Sequence, residues 1–254
     1  MFKKIALAAA LAATASFATW DKFPVLENHK GQAKAGLAYN TQGKWSGMDL
    51  NVGARYAIIQ NFELGVALPY TIFTKYDGND GADGLGNLPV MLRYQFMPMM
   101  NAFLDVTVPI GEEDLTWHSK DGLGLHFGVQ YSQNFGMVSL GSELGLAVEA
   151  TDGDDKTNPP WDLNVGAEGD FAVNQMITPY VGLDLNILLG KASYDGHDAD
   201  ESNTGDMGVA PYLGVGIAFN PMFTLDLCAS FGIGEDYYGE DTSMSFAGTL
   251  FVNF

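Results

Sequence analysis

The sequence contains a single cysteine, Cys228, and few basic residues. One cysteine cannot form an intrachain disulfide, so no disulfide framework stabilises this chain in an oxidising compartment. Twelve Lys and Arg residues against 31 Asp and Glu residues give a formal net charge of −19. A field of that sign repels nucleic acid and anionic solutes. We therefore expect no nucleic-acid partner, and no residue pattern indicates a cofactor.

Long apolar runs are also scarce. Two lysines near the N-terminus precede an apolar stretch over residues 5–13, and small residues follow as far as Ala18. This order is typical of a secretory signal peptide, which we predict over residues 1–18, with cleavage after Ala15 or Ala18. The stretch is shorter than the roughly 20 residues that a membrane-spanning helix needs, and no later run reaches that length.

Alternation of apolar and polar residues runs along the whole chain. In the last stretch Met244, Phe246 and Phe254 share one face of a strand, and Ser245 and Asn253 share the other. Such alternation cancels in an average, so the mean hydropathy of +0.02 does not exclude a membrane barrel. The pattern predicts twelve strands, over residues 33–40, 47–58, 62–72, 86–96, 101–110, 122–132, 136–149, 161–172, 176–189, 206–219, 222–233 and 243–254.

The connections between these strands alternate between short turns and long loops. The short turns lie near residues 60–61, 97–100, 134–135, 174–175 and 220–221, and the long loops near 41–46, 73–85, 111–121, 150–160, 190–205 and 234–242. Outer-membrane barrels have short periplasmic turns and longer outer loops. We therefore predict an all-β, transmembrane antiparallel β-barrel of about 12 strands over residues 33–254, with both termini periplasmic and a short periplasmic segment over residues 19–32.

A soluble β-sandwich also alternates, but it explains neither this order of connections nor the aromatic end of the last strand. Phe254 resembles the terminal aromatic residue that the barrel-assembly machinery reads during insertion. Aromatic residues also cluster near both ends of the predicted strands, as in the girdles of outer-membrane barrels. We expect an outer-membrane protein that contacts lipid and lipopolysaccharide.

Charged residues fall on the inward face of the predicted strands, where they avoid lipid. The candidate lumen-lining residues are Asp49, Arg55, Glu63, Arg93, Asp105, His126, Glu143, Asp162, Glu168, Asp184 and Asp226, and Lys34, Glu149 and Asp170 share this face. Acids outnumber bases, which predicts an electronegative lumen. Two interpretations stay open: paired packing inside a narrow barrel, or a pore that passes cations and neutral solutes. Inward glycines either allow strand curvature or leave space for solute.

Three loop fragments, over residues 77–83, 152–155 and 195–198, are rich in Asp and Gly. None keeps the twelve-residue calcium loop with its final Glu, so we predict no specific metal site. We expect instead solvated acidic loops, which divalent ions can bridge to lipopolysaccharide.

His126 is the one histidine on the predicted inward face. Folding the sixth and seventh strands about Asn134 predicts Glu143 beside it, an arrangement that would orient an imidazole. No inward serine stands at an obvious third position, so we predict no catalytic residue, and a barrel enzyme is the less favoured alternative.

Residues Gly84–Phe96, with the sequence GLGNLPVMLRYQF, resemble a segment of a known outer-membrane family. That family is named after the meta-pathway of phenol degradation, and its segment reads Gly-Leu/Ile-Gly-Asp-Leu followed by Lys/Arg-Tyr. Asn87 stands where the family commonly has Asp. The resemblance implies a channel for small, often hydrophobic solutes. We therefore predict passive passage of small hydrophobic, neutral or cationic solutes without a cofactor. The alternative is a structural or surface-interaction barrel without transport, which a lumen plugged by its own side chains or by the segment Trp20–Lys30 would favour.

Overall fold

A computed structural model describes residues 22–112, 115, 122–150, 157–194, 197–198 and 204–254. Each long strand pairs antiparallel with the next one along the chain, and the first pairs with the last, so the sheet closes. The predicted 12-stranded antiparallel barrel is confirmed. Its strands are β1 Gly31–Gln42, β2 Trp45–Ile59, β3 Phe62–Tyr76, β4 Leu88–Met97, β5 Met100–Val108, β6 Leu123–Asn134, β7 Val138–Ala150, β8 Trp161–Phe171, β9 Ile177–Leu189, β10 Met207–Ala218, β11 Phe223–Gly232 and β12 Ser243–Asn253.

The predicted signal peptide over residues 1–18 lies outside the described residues. The first strand predicted over residues 33–40 lies within β1, which extends it by two residues at each end. The loops also contain structure that alternation did not predict. Five two-residue strands lie there, together with α1, a helix of one turn over Glu235–Tyr238.

Asparagine side chains build the short turns. The Asn174 side-chain oxygen accepts hydrogen bonds from the backbone N–H groups of Met176 and Ile177 at 2.8 and 2.9 Å. Asn220 binds the N–H groups of Met222 and Phe223 in the same way, at 2.9 and 3.0 Å. An Asn side chain that binds the backbone two residues on imitates a backbone turn. The repeated Asn therefore reflects repeated turn chemistry.

The barrel has a short-turn end, at which five connections of two to five residues lie, and a long-loop end opposite to it. The long loop predicted over residues 41–46 is wrong, because β1 and β2 extend to Gln42 and Trp45 and leave a two-residue turn at the long-loop end. β1 begins and β12 ends at the short-turn end, where Gly31 and Phe254 exchange backbone hydrogen bonds of 2.8 and 2.9 Å. The side chain of Phe254 is 60% exposed there. That this end faces the periplasm, and that the assembly machinery binds Phe254, stay predictions.

An apolar belt covers the outside of the barrel. Leu37, Val181 and Leu213 point outward from mid-strand and are about half exposed. Exposed aromatic side chains flank this belt at both ends, with Tyr56, Phe96, Phe171, Phe219 and Phe254 at the short-turn end and Tyr39, Tyr70, Trp161 and Phe246 at the long-loop end. An apolar surface that surrounds the barrel is stable in contact with lipid and not with water. Among the described residues, no helix is both long and apolar enough to cross a membrane.

The segment Gly84–Phe96, which carries the family resemblance, forms a two-residue strand and then β4. β3 and β4 pair only from Phe62 to Val66, and further along β3 the strand Gly84–Leu85 takes the place of β4. The Asn87 side chain accepts a hydrogen bond of 3.0 Å from the N–H of Gly111. Asn87 thus ties this segment to the loop that follows β5.

Candidate channel lumen

The wall formed by β1–β5 carries charged groups in close pairs. Arg93 donates hydrogen bonds from both terminal nitrogens to the carboxylate of Asp105, with its Nη2 at 3.1 Å from Oδ2. Arg55 Nη1 lies 3.4 Å from Glu63 Oε1, and Arg55 Nε donates to Gln32 at 3.1 Å. Because neighbouring strands supply the partners, these contacts join β1 to β2, β2 to β3 and β4 to β5.

Asp49 on the same wall is held by neutral donors. Its carboxylate accepts hydrogen bonds of 2.7 Å from Asn40 on β1 and 2.7 Å from Thr71 on β3. Asn40 is 1% exposed, so this network fills its part of the lumen.

His126 lies between two carboxylates. Its Nδ1 is 3.9 Å from Asp105 and its Nε2 is 3.8 Å from Glu143. Glu143 is thus near His126, but it is not its direct partner in the ladder, since Asn134 pairs with Ser139 and the turn therefore centres beyond Asn134. Glu143 stands opposite Gln130, whose amide donates to it at 2.6 Å.

The wall formed by β8–β11 is acidic. Tyr180 donates to Asp226 at 2.9 Å, and Glu168 is 2% exposed. Asp170 and Asp184 lie on the same face, and β7–β12 contain no Lys, Arg or His in their sequences. The charges of the lumen are therefore segregated, with every inward base of the strands on β1–β6.

The missing cation comes from outside the strands. Residues 22–30 turn back from the start of β1 and enter the lumen at the short-turn end. The N–H of Leu26 donates to Glu63 at 2.8 Å, and the Asn101 amide donates to the carbonyl of Phe23 at 3.4 Å. Lys22 lies deepest and is 4% exposed. Lys22–Leu26, within the segment predicted over residues 19–32, therefore contact the wall of the lumen, and the periplasmic location of that segment stays a prediction.

Lys22 binds the acidic wall. Its ammonium forms a salt bridge with Asp184 and donates to the hydroxyl of Tyr212 at 2.8 Å. Inward glycines make room for its side chain: a Cβ at Gly141 would lie 2.8 Å from Lys22 Cβ, and one at Gly166 would lie 2.6 Å from Lys22 Cε. At these two positions glycine serves space rather than curvature.

At the long-loop end, α1 folds over the lumen. Tyr237 and Tyr238 are each 2% exposed. Tyr237 donates to Asp162, and Asn186 donates to the hydroxyl of Tyr238 at 3.3 Å. Burial raises the pKa of Tyr238 to about 12, and burial together with the Asp162 carboxylate raises the pKa of Tyr237. Both phenols therefore stay protonated and hold α1 against the wall.

The sequence left a plug by Trp20–Lys30 open, but it did not predict the contacts of Lys22 or the helix α1. A signal for Lys22 exists in the sequence, since an acidic half-barrel without any base requires a cation from elsewhere. Two adjacent tyrosines inside a Gly-rich acidic loop are the corresponding signal for α1, because a solvated loop has no need of them. The part of the chain that the structure describes contains no cluster of His, Cys, Asp and Glu that could hold a metal ion.

Solved structures of other barrels share this fold, among them a channel, a translocator domain and a porin. An outer membrane channel from Pseudomonas putida F1 is 12% identical, with a TM-score of 0.73 over 92% of this chain and 98% of that chain. The translocator domain of the autotransporter NalP from Neisseria meningitidis is 9% identical, with a TM-score of 0.62 over 99% and 98%. The NanC porin is 10% identical, with a TM-score of 0.53 over 87% and 98%.

No protein-family description and no curated protein matches the sequence. The resemblance to the family named after phenol degradation therefore stays a prediction at the level of that family. The closed barrel, its apolar belt and the folds of these neighbours confirm the predicted location: the chain is an outer-membrane β-barrel.

Proposed function

We propose that this barrel is a channel for the passive passage of small solutes across the outer membrane. The observation that carries the proposal is the space beside charged side chains inside a closed barrel. The side chains of Asp184, His126 and Asp105 on the inward face are 34%, 29% and 19% exposed. A lumen filled by packed side chains would leave these groups buried, so their exposure favours a water-filled passage.

The likeness to an outer membrane channel and to a porin supports this proposal at the level of the fold. The acidic wall of β8–β11 favours cations and neutral solutes over anions, because carboxylates in a narrow lumen select by their field. Lys22 reduces this charge without cancelling it, as it faces both Asp184 and Glu168.

A structural barrel without transport is the second candidate. The segment Lys22–Lys30 and helix α1 enter the lumen from opposite ends, and both bind its wall. If they fill the cross-section permanently, no solute passes.

Liposome swelling separates these two functions. Folded protein is reconstituted into liposomes and challenged with sugars and small aromatic solutes of increasing size. A channel gives swelling rates that fall with solute size. Folding of the reconstituted barrel is checked by heat-modifiable gel mobility. If liposomes that contain the folded barrel do not swell, the structural function is favoured.

A further inference from the structure

The surroundings of the Lys22 ammonium form a compact site on the acidic wall, which we call the ammonium cage and define as Asp184, Tyr212 and Glu168. Asp184 gives the salt bridge and the Tyr212 hydroxyl accepts at 2.8 Å. The centre of the Tyr212 ring lies 4.9 Å from Nζ, so the ring supplies an aromatic side to the cage.

Glu168 receives no hydrogen bond from Lys22. It is 2% exposed, and its hydrogen-bonding neighbours on the wall are the Tyr212 hydroxyl and the Asp170 carboxyl group. It also lies near enough to Lys22 and Asp184 to interact with them electrostatically. A buried acid with so few donors is costly, and a cation that supplies them recovers that cost. An ammonium that is not tethered to the backbone can take a position that Lys22 cannot.

The approach to the cage has a defined shape. The side chain of Lys22 runs past Gly141 at its Cβ and past Gly166 at its Cε, and a methyl group at either glycine would collide with it. This trough accepts a straight chain of methylene groups that ends in a primary ammonium. We expect a branched chain to fit less well, because its extra methyl group would be added where Lys22 already lies against these glycines.

We propose that the ammonium cage binds the primary ammonium group of linear alkylamine solutes, and that Lys22 occupies it as a tethered substitute when no solute is bound. The inference rests on the proposed channel function, because it places the cage on the route of the solute. It assigns the channel a substrate class, linear organic amines. Residues 22–30 then carry Lys22, which a bound amine displaces from the ammonium cage.

The test is calorimetric titration of the folded, detergent-solubilised full chain with n-butylammonium chloride, which copies the Lys22 side chain from its Cβ outward. The variant K22A empties the cage. We expect it to bind n-butylammonium about tenfold more tightly than the parent protein, because a tethered group competes at millimolar effective concentration. K22A/D184N should lose this binding. K30A removes a base from the exposed part of the same segment and should titrate like the parent.

n-Butanol and tert-butylammonium are the matched probes, since the first lacks the charge and the second the linear shape. Neither should bind K22A. Absence of n-butylammonium binding to folded K22A, equal binding by K22A and K22A/D184N, or equal affinity in parent and K22A would overturn the inference. Binding is measured without transport, so swelling without binding refutes the cage alone, and binding without swelling refutes the channel alone.

Discussion

Replacing Arg93 by Met tests whether lumen ion pairs stabilise the barrel. The side chain of Arg93 is 5% exposed and that of Asp105 is 19% exposed, and the two form a bidentate contact between β4 and β5. Met keeps much of the apolar volume and removes the charge, so the carboxylate of Asp105 loses its closest cation. Removing one partner of a buried pair costs about 3–5 kcal/mol in the free energy of unfolding.

We expect a value near the lower limit, about 3 kcal/mol, because Asp105 keeps some contact with water in the lumen. Asp105 also lies 3.9 Å from His126, which can compensate in part when it is protonated. The double variant R93M/D105N also removes the negative charge that R93M leaves without Arg93. It should recover about half of the free energy of unfolding that R93M loses, because substitutions of two residues in contact are not additive.

The measurement is urea unfolding in lipid vesicles, followed by tryptophan fluorescence and by heat-modifiable mobility. K44M is the matched control, because Lys44 pairs with Asp77 at 2.9 Å while both side chains are more than half exposed. An exposed pair contributes little, so K44M should unfold like the parent. Equal stability of R93M and parent, or a double variant less stable than R93M, would refute the reasoning.

Three further predictions follow from the lumen. G166A should expel Lys22 from its site and raise the acetylation of Lys22 by a water-soluble reagent several-fold. G216A is the control, because the nearest atom to a new Cβ there is 3.7 Å away, and it should leave the labelling of Lys22 unchanged. D184N/D226N should lower the cation selectivity of the channel, measured as the reversal potential, more than E235Q/D236N does, because salt screens the exposed charges of the α1 loop over about 8 Å. A larger effect of the loop variant would show that the acidic wall does not select ions. Y237F should free α1 from Asp162 and speed cleavage after Tyr238 by chymotrypsin in folded barrels; an unchanged rate would mean that other contacts hold α1.

The strands and their phase could be predicted because each depends on local pattern alone. Alternation placed Asp226 and Phe223 on opposite faces of β11, and no distant contact is needed to decide this. The short turns were equally readable, since Asn174 and Asn220 bind the backbone within their own turns. The pairing of Glu143 with Gln130 was missed for a local reason too, since a shift of the turn centre moves every pair of the hairpin.

Lys22 and α1 could not be predicted, because their positions depend on partners far away in the sequence. Lys22 meets Asp184 and Tyr212 on strands that only barrel closure brings near the N-terminus. Tyr237 meets Asp162 for the same reason. Neither segment has a periodic pattern, so the paired tyrosines of α1 and the absence of bases on β7–β12 indicate that partners exist without identifying them.

Single-channel recording tests the central claim most directly. Folded, full-length protein is inserted into a planar bilayer under a gradient of potassium chloride, with heat-modifiable mobility as the check of folding. For a channel with an acidic wall we expect discrete steps of conductance and a cation-selective reversal potential. A folded barrel that gives no steps, or an anion-selective reversal potential, would contradict the account.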